Sequence, residues 1–253
     1  DRGNGGESVN VKLIAHTQLS GDFLSELPSE NWLWESGDPK NGQAVALTAI
    51  RTCYSANKPT EIVAKEGEKY FGQEATDGEG GTDADRLFRH IVRSGHTSTL
   101  EHITFTFAIE GISRACLAQL TRHRVGFSYS VQSQRYVKFG SDDKTGGFGY
   151  VVPKTIERNR EAKEVYEIVM DAIQSFYNTF REYGIPAEDA RMILPNAATC
   201  NLVMTANLRA LLDFYSKRRK GRGAQWEIAE LAERIREEVV KVEPWTERFF
   251  KEA

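Results

Sequence analysis

The residues best suited to chemistry stand together in TRHRVGFSYSVQSQRY, residues 121–136. Arg122, His123 and Arg124 are contiguous, hydroxyls follow at Ser128, Ser130 and Ser133, and Arg135 comes near the end. Successive residues of a helix point about 100° apart, so the three cannot converge on one ligand from within a helix. Either they sit where a helix ends, or they serve different ligands or subunits, and Gly126 favours a break there. If 130–136 is extended, Ser133 and Arg135 share a face. A hydroxyl beside a guanidinium fork suits a phosphate. The plainer alternative is a solvated basic turn with serine-rich flanks.

Two further clusters carry polar chemistry. SGHTSTLEHITF (94–105) holds His96, Ser98, Glu101 and His102. Its spacing is not that of a metal-binding helix, and capping between a helix and a strand explains it as well. The segment 190–228 holds Asn207, Arg209 and Asp213 among leucines, then the basic run Lys217, Arg218, Arg219, Lys220 and Arg222. That run is either a nucleic-acid patch or a helix end that favours cations. Cys53, Cys116 and Cys200 show no disulfide framework and no zinc spacing, and read as core residues of a protein from a reducing compartment, the cytoplasm.

The elements that must position these groups follow from periodicity. The chain has 253 residues, 33 Lys+Arg against 36 Asp+Glu, a net charge of −3, and 40% hydrophobic residues. That excludes a strongly basic nucleic-acid-coating protein, and no apolar run is long enough to span a membrane. Residues 1–10 read as a flexible leader, 11–16 as a strand, 19–43 as an irregular loop and 44–53 as a helix. The acidic, glycine-rich stretch 72–83 reads as a mobile loop, and 84–95 as a helix stopped by Gly95. In 102–110 Ile103, Phe105, Phe107 and Ile109 alternate with polar or small residues, the pattern of a strand. A short helix over 112–121, a strand at 149–153 and a long helix over 156–183 follow. In that long helix Val165, Ile168, Val169, Ala172, Ile173, Phe176 and Phe180 form one stripe. Helices at 187–193, 205–217 and 226–241 complete the chain. The pattern is α+β, an antiparallel sheet with flanking helices, in a single domain over 11–253.

With these motifs in order, the chain resembles the flavin-dependent thymidylate synthases. Their signature, Arg-His-Arg, seven or eight residues, Ser, then Arg-Tyr, stands here as Arg122-His123-Arg124, eight residues, Ser133-Gln134-Arg135-Tyr136. The segments SGHTSTLEHITFTF, GIPAEDARMILP, NLR and AQWEI match as well, so the resemblance spans roughly 44–250. It implies reductive methylation of dUMP to dTMP, with methylenetetrahydrofolate as carbon donor and NADPH reducing FAD. Tetrahydrofolate is released, and no cysteine nucleophile is used. It also implies a homotetramer whose active sites are shared between subunits, with no membrane or nucleic-acid partner and no metal.

Carried over by position, the resemblance implies flavin contacts from Ser98, Arg122, His123, Arg124, Asn207, Arg209 and Asp213. dUMP would meet Gln119, Arg122, Ser133, Gln134, Arg135 and Arg191. His96 matches a histidine near the flavin ring. A further arginine stabilises the anionic pyrimidine and is the catalytic residue. The run KRRKGRG has one residue more than the aligned form, so Arg218 and Arg219 compete for that role. Counting along the helix from Asn207 selects Arg218, because glycines 221 and 223 can absorb an insertion. A rival reading, an RNA-binding protein using the two basic runs, runs against the acidic net charge and the lack of an RNA-binding signature.

Overall fold

The computed structural model describes residues 9–28 and 41–253. The strands are β1 (Asn10–His16), β2 (Thr104–Ser113), β3 (Phe127–Val131) and β4 (Thr199–Asn207). The α-helices are α1 (Gly21–Glu26), α2 (Asn41–Thr52), α3 (Ile62–Gly72), α4 (Asp83–Arg93), α5 (Arg114–Leu120), α6 (Lys154–Glu157), α7 (Arg160–Glu182), α8 (Ala187–Ala190), α9 (Leu208–Arg218), α10 (Trp226–Val242) and α11 (Glu247–Glu252). The strands form one sheet in the order β1-β2-β4-β3, antiparallel throughout. The fold is α+β, with helices flanking that sheet, as the residue pattern implies.

One face of the sheet is dry. Phe105, Phe107 and Ile109 on β2 and Leu202, Met204 and Ala206 on β4 are buried beneath helix residues such as Leu47, Phe88, Leu211, Phe214, Leu231 and Phe250. On the other face the hydroxyls of Thr106 and Thr205 pair at 2.8 Å and Val203 is exposed. Antiparallel sheets tolerate such one-sided burial. Helix α10 reaches the sheet with two carboxylates. Glu238 accepts from the Leu13 N–H at 3.0 Å, where β1 shifts register between Leu13 and Ala15. Glu227, buried, accepts from the N–H and hydroxyl of Ser113 at 2.7 and 2.6 Å. Ser113 in turn caps α5 by accepting from Cys116 N–H.

Several sequence expectations change. The helix expected from 205 begins at Leu208, and the residues before it are β4, placed inside the sheet. Cys200, Leu202, Met204 and Ala206 alternate inward, a period-two signal that small and β-branched neighbours obscured. At 149–153 there is only a bridge between Tyr150 and Ala198. The stretch 19–43 contains α1, capped by Ser20, and α2 begins at Asn41; residues 29–40 lie outside the described ones. Of the expected leader, residues 1–8 also lie outside them, while Val9 is buried and Asn10 already belongs to β1.

The loop 72–83 is pinned. Glu74 bridges Thr82, Asp77 accepts both arms of the buried Arg89, and Glu79 pairs with Arg93 and Arg248. Those two guanidiniums hold the Glu79 carboxyl down to about 2. On α7 most of the expected apolar stripe faces away from the core: Val165 is 61% exposed, Ile168 68% and Phe176 61%, with Val169 and Phe180 also exposed, and of the stripe's large apolar residues Ile173 alone packs inward. Tyr166, Met170, Ile173, Gln174 and Tyr177 face a second core with Phe139, Phe148 and Tyr150. Gln174 belongs there because it accepts from Phe148 N–H and donates to Phe139 O. Cys116 and Cys200 are buried as expected, whereas Cys53 is exposed at the end of α2.

Glu227→Ala strips two buried donors of their acceptor. It should lower unfolding stability by about 2 kcal/mol, measured by chemical denaturation, with Glu227→Gln recovering part of the loss.

Candidate active site

The Arg-His-Arg turn separates its three side chains. Thr121 ends α5, and the chain then runs through Gly126, with φ +78°, into β3. Arg122 and Arg124 are exposed and make no ion pair among the described residues, while His123 turns inward. The imidazole packs edge-on against Phe214 at 5.0 Å between ring centres and tilts over Phe127 at 6.0 Å. Tyr129 on β3 holds the turn by donating its hydroxyl to the carbonyls of His123 and Leu120. That divergence is what contiguous cations in a turn must show.

The turn is locked against the start of α9. Asn207 ends β4, and its side-chain oxygen accepts from Ala210 N–H at 2.8 Å, capping the helix. Its own N–H donates to Gly126 O at 3.2 Å. Asn207 is therefore the cap preceding α9, not a polar position within it. A Cβ on Gly126 would lie 2.7 Å from both Ala210 Cβ and Asn207 Nδ2. Glycine is needed there for its backbone angle and for the close approach.

At the other end of α9, Arg218 donates from Nε to His123 Nε2 at 3.0 Å and from Nη2 to Gln119 O at 3.3 Å. Arg219 leaves the helix in extended conformation, and its Nε is buried without a hydrogen-bond partner. Lys217 pairs with Asp213. The basic run thus divides between a paired lysine, an inward Arg218, a half-buried Arg219 and the exposed Lys220 and Arg222 rather than forming one stripe. Burial first, then the neighbouring Arg218, holds His123 below the ordinary imidazole range. It stays a neutral acceptor.

The other candidates form two groups. Arg135 lies in a turn, not on extended chain; its N–H donates to Ser133 Oγ at 3.1 Å and its Nε to Glu188 at 2.5 Å. Gln134 between them is buried. Arg191 donates from Nε to the Glu188 carbonyl at 3.0 Å, so Arg135 and Arg191 both meet Glu188, with Ser133 and Gln134 beside Arg135 in the turn. Ser98 is exposed in the 3-10 turn Thr97–His102 that leads into β2. In the same turn Glu101 pairs with Arg209 at 2.6 Å. His96 meets the Tyr54 hydroxyl through Nδ1 at 3.2 Å. Among the described residues no hydrogen bond or ion pair joins the Arg135 group to the Arg218 group. Sequence reasoning missed Glu188, Tyr54 and Tyr129, and named Glu101 without its partner Arg209. Their partners are distant in sequence or local to folded turns, and no spacing marks them.

Two glycines separate strain from crowding. Gly126→Ala should destabilise by about 2–4 kcal/mol, because unfavourable φ adds to overpacking. Gly111→Ala, with φ +75° but no atom within 4 Å of the added carbon, should cost only about 1 kcal/mol. Parallel urea titrations compare the two.

Residues 37–245 match the family model described as "Thymidylate synthase complementing protein". The chain is 42% identical over 200 residues to the flavin-dependent thymidylate synthase of Geobacter sulfurreducens, covering 79% of this chain and 77% of that protein. Its identity to the enzyme of the same name from Pyrococcus furiosus is 43% over 159 residues, 63% of this chain and 64% of that one. Among solved structures it superposes on a UMP/dUMP methylase, PolB from Streptomyces cacaoi, with a TM-score of 0.69 at 21% identity, covering 96% and 95% of the two chains. At that identity the likeness concerns the fold. Family model and sequence relatives agree with the motif order, and the chain belongs to the flavin-dependent thymidylate synthase family.

Proposed function

We propose that this chain makes dTMP from dUMP by reductive methylation, with methylenetetrahydrofolate as carbon donor, NADPH as reductant and FAD as its resident cofactor. The observation that carries the reading is the disposition of Arg218. A guanidinium has five N–H donors; two go to His123 and Gln119, leaving three without a protein partner among the described residues. A cation that never loses its charge, with planar donors free, suits an anionic uracil ring and makes C5 a nucleophile. Arg219 lacks such a setting, since it has left the helix.

The residues present fit a flavin dinucleotide. Arg122 and Arg124 are exposed cations in the turn whose Gly126 packs against the capped start of α9, a combination that favours a pyrophosphate. Arg209, Asn207, Ser98, His123 and Asp213 complete the proposed set. FAD, when bound, supplies the reducing electrons. The dUMP phosphate would meet Ser133, Gln134, Arg135 and Arg191, with Gln119 and Arg122 nearer the nucleoside. Glu188 already presents a carboxylate to Arg135, so an anion there has chemical precedent within the chain.

The thiols support chemistry without a cysteine nucleophile. Burial pushes the Cys200 thiol up to about 11 and Cys116 higher still, so neither is a thiolate near neutrality. Buried free thiols also agree with a cytoplasmic seat. Among the described residues no helix is long and apolar enough to cross a membrane.

A homotetramer is part of this reading, and α7 supports it. Val165, Val169, Phe176 and Phe180 lie on one exposed face, in pairs symmetric about residues 172–173. An antiparallel second copy would set each phenylalanine against a valine. An exposed apolar face of this extent belongs against a partner.

Two measurements test these statements. Arg218→Ala should slow dTMP formation on the order of 10- to 100-fold, the worth of a charge-assisted hydrogen bond, while Arg219→Ala is mild. Equal loss in both variants, or loss confined to Arg219→Ala, contradicts the assignment. For assembly, Phe176→Asp combined with Val169→Asp should reduce the mass seen by light scattering while circular dichroism stays that of the folded chain.

A further inference from the structure

We propose that His123 is the positioning residue for Arg218: its Nε2 accepts from the guanidinium Nε and thereby fixes which donors face the pyrimidine. The inference rests on Arg218 as the activating residue. Three observations carry it. The Nε–Nε2 distance is 3.0 Å, and the second anchor is a backbone carbonyl, Gln119 O, in the last turn of α5, just before the Arg-His-Arg turn. The imidazole is itself immobilised, edge-on to Phe214 and tilted over Phe127, with its backbone carbonyl held by the Tyr129 hydroxyl. Finally, Arg122 and Arg124 point outward from either side of it, so the middle member of the motif faces a different partner from its neighbours.

The tautomer follows. An Nε2 that accepts carries no proton, so the neutral ring has its hydrogen on Nδ1. The charged groups around the ring are Arg218, Lys217 and Asp213 on α9 and Arg122 in its own turn; the contacts from β3 are aromatic. Burial and the adjacent cations oppose protonation. The sign is therefore fixed: the bond persists at neutral pH and above, and is lost as pH falls through the depressed value. A protonated ring offers Arg218 a donor and a like charge in place of an acceptor.

Two variants and one spectrum test this. His123→Phe keeps a ring against Phe214 but has no acceptor; His123→Gln keeps an amide oxygen that accepts and does not titrate. We expect His123→Phe to slow the dUMP-dependent step on the order of tenfold, one hydrogen bond's equivalent. The wild type should show an acid limb in its pH profile; His123→Gln should recover most of the rate and abolish that limb. Titrating FAD into each variant separates this role from a flavin contact. If flavin affinity falls in step with turnover in both variants, or if His123→Phe keeps the full rate, the proposal is overturned. Should His123→Phe fail to fold, an acid limb that persists unchanged in His123→Gln overturns it equally. Nitrogen NMR of histidine-labelled protein reads the tautomer without turnover: an Nδ1-protonated ring at neutral pH is expected, and an Nε2-protonated one excludes the bond. That spectrum stands even if dUMP proves not to be the substrate, whereas wild-type dTMP formation tests the parent reading.

Discussion

Asn207 is the joint on which the site depends. Its backbone ends the strand β4, its side chain caps α9, and its N–H holds Gly126 of the Arg-His-Arg turn. Three elements far apart in sequence thus share one residue. The helix that carries Arg209 in its first turn and Arg218 in its last is oriented by this cap at one end and by His123 at the other. Because Gly126 leaves no room for a side chain, the turn and helix have one separation. The distance from Arg218 to His123 is a consequence of that packing.

The cations of the site are not held alike. Arg135, Arg209 and Lys217 each have a carboxylate partner, in Glu188, Glu101 and Asp213, and all these pairs are exposed. Exposed pairs contribute little to stability, a fraction of a kcal/mol to about one. They can therefore be exchanged for a phosphate or another anion at small cost while keeping long side chains near their working positions. Arg218 is different. It is held by neutral acceptors, so no carboxylate in that pair of bonds cancels its charge.

Much of this was legible in the residues. The alternation of Ile103 to Ile109, the stop at Gly95 and the span of α10 need only local physics, and the structure places them within a few residues of the reading. The motif order identified the family because four segments had to agree at once. Other features were hidden for definite reasons. β4 runs directly into a helix, so its period-two signal merges with a period of 3.6. On α7 the more hydrophobic face is the exposed one, and a glutamine and two tyrosines occupy the core. Amphipathicity read as a core signal therefore selects the wrong side whenever a second surface exists. The pinned loop 72–83 depends on Arg248, 169 residues from Glu79, which no local pattern can reveal.

The carboxylate of Glu238 has a consequence for the molecule as a whole. β1 lies at the edge of the sheet, and edge strands are templates on which foreign strands can grow. Here the strand is interrupted by a register shift after Leu13, and the N–H released there is already satisfied by a helix side chain. An incoming strand would meet a bent ladder with a donor missing. The helix that completes the core also guards the chain against edge-to-edge association, a protection that matters most while a newly made chain stands crowded among other copies of itself.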